Sequence, residues 1–168
     1  MTTSSQTSFL VDQLERVHGN DPWHGPSRAS ILADVTLDEA RARPAPSVHS
    51  IWELVLHMTA WTREVARRLE GHMASEPEMG DWPPRPATPD ERAWQAALAA
   101  LDAAHEHLCD TVRGLDPSRL TTRVGDARNA PLGTGVTFEQ TINGLVQHDA
   151  YHSGQIALVK KLVRTGRG

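Results

Sequence analysis

The longest unbroken pattern of inward positions lies near the end of the chain, at Phe138, Ile142, Leu145, Asp149, His152, Ile156, Val159 and Val163. Successive members are four or three residues apart, the spacing of a seam between packed helices, and this predicts one long helix over Thr137–Val163. Two consecutive seam positions, Asp149 and His152, are ionisable where an apolar residue is expected. His148 stands one residue before the first and four before the second, so both imidazoles project from the same side of the helix. Burying an Asp and a His costs free energy unless each finds a hydrogen-bond partner or a metal. Two imidazoles one turn apart suit a single cation. The alternative is a hydrogen-bonded network within the core.

Three more helices follow from the same periodicity. Leu10, Leu14 and Val17 mark one over about Ser8 to His18, stopped by Gly19-Asn20-Asp21-Pro22. Ser50-Ile51-Trp52-Glu53 is a capping box that opens a helix running to Gly71, with Ile51, Leu54, Met58, Trp61, Val65 and Leu69 inward. Thr88-Pro89-Asp90-Glu91 supplies an N-cap, a Pro at the first helical position and a capping Glu. The helix it opens reaches about Leu115, with Trp94, Leu98, Leu101, His105, Leu108, Val112 and Leu115 inward. Thr137-Phe138-Glu139-Gln140 caps the last helix in the same way.

Between these lie short elements. Trp23-His24-Gly25-Pro26-Ser27 is a turn with an aromatic anchor, Ser27 caps a short helix to Leu32, and Thr36–Glu39 is a further capping box. His72 to Thr88 carries Pro77, Pro83, Pro84 and Pro86, with Trp82 as an anchor. It is long enough to cross the molecule rather than turn tightly. Thr121–Val136 is an irregular loop, either a cover for an active-site mouth or mere connection. Four long amphipathic helices without a repeat or a second hydrophobic unit give an all-α four-helix bundle, one domain over residues 1–168 with a long crossover connection.

Composition narrows the function. With 39% hydrophobic and 23% charged residues, the 168-residue chain reads as an ordinary globular protein. A net charge of −4 and the lack of any basic stripe argue against a nucleic-acid partner. No apolar run approaches membrane-spanning length, and the first residues lack the pattern of a signal peptide. One cysteine, Cys109, cannot form an internal disulfide, so a reducing cytoplasm fits.

His57 precedes Met58 on its helix much as His148 precedes Asp149, which places it at the core edge and makes it the best third ligand. His105 sits on a core stripe as a fourth ligand, a hydrogen-bond partner of a ligand, or a core His satisfied by a backbone carbonyl. His24, in a loop beside Gly-Pro, reads as solvated, with a place in a cleft as the other possibility.

Two segments, Ser50-Ile-Trp-Glu-Leu-Val-Leu-His57-Met-Thr-Ala-Trp61 and His148-Asp-Ala-Tyr-His152-Ser-Gly-Gln155-Ile, resemble the DinB/YfiT-like family of metalloenzymes. The Trp23–Ser27 turn is similar to that family's N-terminal half, so the resemblance covers nearly the whole chain. It implies a four-helix bundle, often a homodimer, with a divalent metal held by His57, His148 and His152. Unused apolar surface on the first helix would suit such a dimer. Characterised relatives include transferases and isomerases that use low-molecular-weight thiols such as bacillithiol or mycothiol.

Three neutral imidazoles leave a coordination position open, the arrangement of a catalytic site. Zn²⁺ or Ni²⁺ there would lower the pKa of bound water or of a substrate thiol. Asp149 is expected to orient a ligand imidazole or take a proton from bound water, and Gln155 to hydrogen-bond a ligand or the small-molecule substrate. The leading expectation is a thiol transferase acting on a small electrophile. The rivals are a hydrolase of small amides or esters, since His148-Asp149-Ala-Tyr-His152 is one methylene from His-Glu-x-x-His, and a non-catalytic metal-binding stress-response bundle.

Overall fold

The computed structural model describes residues 3–125, 127, 129 and 131–166, the first three by backbone alone. Among them are six α-helices: α1 (Thr3–His18), α2 (Arg28–Leu32), α3 (Leu37–Arg41), α4 (Ile51–Leu69), α5 (Glu91–Gly114) and α6 (Phe138–Thr165). A 3-10 turn, Pro117–Thr121, follows α5, and Arg123 pairs with Thr137 in an isolated antiparallel bridge. The all-α class is as expected. No helix among the described residues is long and apolar enough to cross a membrane.

The long helices pack in a ring. α4 lies against α5 and α6, and α1 lies against the same two from the opposite side. Helices α2 and α3 close the flank, α2 against α6 and α3 against α4. Capping boxes at Thr36/Glu39, Ser50/Glu53 and Thr137/Gln140 fix three starts, each side chain satisfying the other residue's backbone N–H. α5 departs from expectation. Its N-cap is Asp90, whose carboxylate accepts from Ala93 N–H at 2.8 Å, so Pro89 precedes the cap and the helix begins at Glu91. α1 begins at Thr3 rather than near Ser8, because a helix docked through Leu10 and Leu14 extends back through polar residues at little cost.

All eight seam positions of α6 are buried. The apolar core is divided in two. One cluster joins Leu10 and Leu14 to Val65, Leu69, Leu108, Val112, Phe138 and Leu145, and the other joins Trp52, Met58, Trp94, Leu101, Ile156 and Val159. On α4 the break falls between Met58 and Val65, on α5 between Leu101 and Leu108, and on α6 between Leu145 and Ile156. The buried ionisable residues His105, Asp149 and His152 fall in that break, with His57 and Arg28 at its margin. A polar layer thus crosses the middle of the bundle.

Two surface expectations change. Trp23 is fully exposed rather than an anchor, because its turn buries Pro22 and points the indole outward. Trp61 is half-buried and gives its indole N–H to Asp81 Oδ1 at 2.6 Å instead of completing the α4 seam. Apolar side chains left at the surface of the long helices belong mainly to α6 (Tyr151, Leu158 and Leu162), with Phe9 on α1.

His105 makes the bundle acid-sensitive. Burial pushes its pKa down to about 3, with nearby His18 and Arg28 adding to the effect. In the unfolded chain the same side chain takes a proton near 6.5. Stability from this residue is therefore complete above pH 6.5 and declines as pH falls toward 3, by up to about 1.4 kcal/mol per pH unit. Urea midpoints of metal-free protein measured against pH should fall with this sign as pH is lowered, and His105→Leu should reduce the slope, leaving the part contributed by His57 and His152.

Candidate metal centre

His57 comes from α4, and His148 and His152 from successive turns of α6. Packing of α4 on α6 brings the three rings together. His57 Nε2 lies 3.0 Å from His148 Nε2 and 3.1 Å from His152 Nε2, and one nitrogen from each ring falls within 4.8 Å of the others. Nitrogens about 2.1 Å from a common tetrahedral centre stand about 3.4 Å apart, so the spacing is close to what one divalent ion needs.

The other ring nitrogens explain the convergence. His57 Nδ1 donates to the Asp81 backbone carbonyl at 2.6 Å, and His152 Nδ1 donates to Gln155 Oε1 at 2.6 Å. His148 Nδ1 faces Asp149 Oδ1 at 3.7 Å, longer than a hydrogen bond but on the same pattern. A neutral imidazole that donates through Nδ1 presents a bare lone pair at Nε2. Three lone pairs aimed at one point repel unless a cation or a proton lies between them. The donor set therefore fits a metal, with each ligand oriented from behind.

Electrostatics favour the ligating form. Burial lowers the pKa of His152 to about 4, helped by His148, and burial also lowers that of His57. Both rings are neutral at physiological pH. Burial pushes the Asp149 carboxyl up, but the Arg28 guanidinium beside it, with help from His148, holds it below the usual carboxylate range. Asp149 is ionised inside the bundle, 1% exposed, with Oδ2 2.7 Å from Arg28 Nη1.

The carboxylate lies behind His148, between its Nδ1 and Arg28, a placement that suits orienting the imidazole. The Gln155 amide oxygen accepts from His152 Nδ1 on the side of the ring away from the cluster. Gln155→Leu should weaken metal affinity by about 10- to 100-fold without unfolding the helix, measured by competition with a chelating dye.

His105 is not part of the cluster. It stacks on His18 with ring centroids 4.0 Å apart, its Nε2 lies 3.5 Å from Cys109 Sγ, and among the described residues its Nδ1 has no partner, a backbone carbonyl included. His24 is exposed on its turn and is not among the clustered histidines.

The crossing segment adds contacts that the sequence pattern did not show. It lays Trp82 between His49 and His57, with ring centroids 3.6 and 4.0 Å away and nearly parallel planes. Its Asp81 holds His57 through the carbonyl and Trp61 through the carboxylate. Two clefts flank the triad. One of about 470 Å³ is lined by His152, Gln155, Trp82, Leu54 and Val159, and the other of about 360 Å³ by His148, Trp61, Leu132 and Gln140. The described part of the 121–136 loop thus borders the site. A separate cavity of about 210 Å³, between α4 and the crossing segment, does not touch the triad.

No curated protein and no solved structure matches the chain. A family model does, over residues 28–156, a span that runs from Arg28 through all three clustered histidines and takes in more than half of the sequence. The chain belongs to the DinB superfamily.

Proposed function

We propose that the protein is a divalent-metal-dependent transferase that joins a low-molecular-weight thiol to a small electrophile, with His57, His148 and His152 as ligands. The observation that carries the reading is the convergence of three Nε2 lone pairs, each imidazole held through its other nitrogen or faced there by a carboxylate. Three protein ligands leave room for an exogenous one, and imidazole sets of this kind accept zinc or nickel. A divalent ion bound there lowers the pKa of a thiol, so that sulfur is nucleophilic near neutral pH.

The chain's own residues supply position and shelter. His57 and His152 are buried, while His148 is partly open to solvent. The two clefts, one on His148 and one on His152, provide separate places for a thiol and an electrophile. Trp82 and Leu54 give the larger cleft an apolar wall suited to the carbon body of the electrophile. In the transfer the thiol proton passes to solvent. Sulfur then forms a bond to the electrophilic carbon as the leaving group departs with its electron pair.

The hydrolase reading loses its base, because Asp149 is committed to Arg28 and faces His148. The test is to load the protein with zinc or nickel and follow consumption of several low-molecular-weight thiols against alkyl halide and epoxide electrophiles. Metal-dependent thiol consumption that disappears in His152→Ala is the expected result. Steady ester or amide turnover without any thiol consumption would overturn it in favour of hydrolysis.

A further inference from the structure

Arg28 has no place in the chemistry above, yet it is 1% exposed in the middle of the bundle. Removing a guanidinium from water is unfavourable by several kcal/mol unless its donors are used. Local preference does not put it there either, since a cation at the first position of a helix opposes the peptide dipoles. Ser27 caps α2 and the turn before it sets the entry, and this delivers Arg28 to the face it shares with Ile31 and Leu32.

Its two arms are both engaged. Nη1 donates to Asp149 Oδ2 at 2.7 Å, and Nη2 donates to His18 Nδ1 at 2.7 Å. With Oδ2 held, Asp149 Oδ1 is turned to His148 Nδ1, and among the described residues neither of those two buried atoms has a hydrogen-bond partner elsewhere. A contact chain therefore runs from α1 through α2 to the ligand helix: His18, Arg28, Asp149, His148.

We propose that Arg28 is a positioning residue of the metal centre: it clamps Asp149 so that one carboxylate oxygen faces His148 Nδ1, fixing the tautomer and ring angle that leave Nε2 for the metal. The proposal rests on the three-histidine reading. It gives the Trp23–Ser27 turn a purpose, as the segment that aims α2, although Trp23 and His24 themselves face solvent.

The test is a Co²⁺ titration of the full chain followed by visible absorption, for wild type, Arg28→Lys, Arg28→Met and the double variant Arg28→Met/Asp149→Leu. Arg28→Met should bind about 10- to 100-fold more weakly with a changed cobalt band, and Arg28→Lys should recover part of both. If Arg28→Met fails to fold because Asp149 is left uncompensated, the double variant, which buries no charge, should fold and show the same loss. Folded variants with wild-type affinity and an unchanged band would overturn the role of Arg28, even if their melting temperatures fall. Absence of cobalt uptake by the wild type would instead overturn the metal reading itself.

Discussion

Glu64→Ala should destabilise the protein by about 3–5 kcal/mol, far more than an ordinary surface carboxylate would. Glu64 and Arg68 are each 3% exposed on α4, one turn apart. Glu64 Oε1 accepts from Arg68 Nε at 2.8 Å and from Ser75 N–H at 2.9 Å, while Oε2 accepts from Arg67 Nε at 2.9 Å. Arg68 then reaches outward, donating to the Leu132 carbonyl at 2.6 Å and the Ser75 carbonyl at 2.9 Å. The pair ties down both segments that border the triad, the crossing segment after α4 and the loop before α6. Removing the carboxylate leaves a buried guanidinium uncompensated and frees the Ser75 amide. Denaturant unfolding measures the loss, and Glu64→Leu/Arg68→Met should recover most of it by burying no charge at all. A single-variant loss below about 1 kcal/mol would show that the pair is solvated in solution.

His57→Ala should weaken divalent-metal affinity by more than about 100-fold, beyond the effect of losing a residue that only orients a ligand. Its Nε2 lies within 3.1 Å of both other Nε2 atoms, it is the α4 contribution to the cluster, and it forms one face of the Trp82 stack. Its loss leaves the two α6 imidazoles as an i,i+4 pair without a third donor. Trp82 also loses its inner neighbour, so the wall of the larger cleft should loosen. Isothermal titration with zinc checks the first effect. Near-ultraviolet circular dichroism checks the second, because the Trp82 signal depends on its fixed partners.

Much of this was legible because helical periodicity is a local property. The 4-3 spacing from Phe138 to Val163 marked every buried seam position of α6, including the two ionisable ones, and three capping boxes marked starts that the structure reproduces. His57 was found by its place one residue before the α4 seam. His57, Trp61, Glu64 and Arg68 form their own 4-3-4 stripe along the edge of that seam, and all four bear on the site or the segments around it. Arg28, Ile31 and Leu32 have the spacing of one helix face, which was signal enough that Arg28 points inward.

What stayed hidden depends on contacts between distant segments. Asp81 meets His57 across 24 residues and Arg28 meets Asp149 across 121, and no periodicity in either segment encodes the pairing. Trp82 was legible as an anchor but not its place between two imidazoles. Trp23 misled for the converse reason. An aromatic in a turn suggests burial, but which side of a turn faces the core is set by the elements it joins.

The central claim is that three Nε2 atoms hold one divalent ion, and metal content tests it most directly. Wild type and His152→Ala would be prepared without added metal or an affinity tag and analysed for elemental composition, then titrated with Zn²⁺. The account predicts about one metal per chain in the wild type and none retained by the variant. A wild type that neither carries nor takes up metal, or a variant that binds as well as the wild type, would contradict it, and the polar layer would then be a hydrogen-bonded core network.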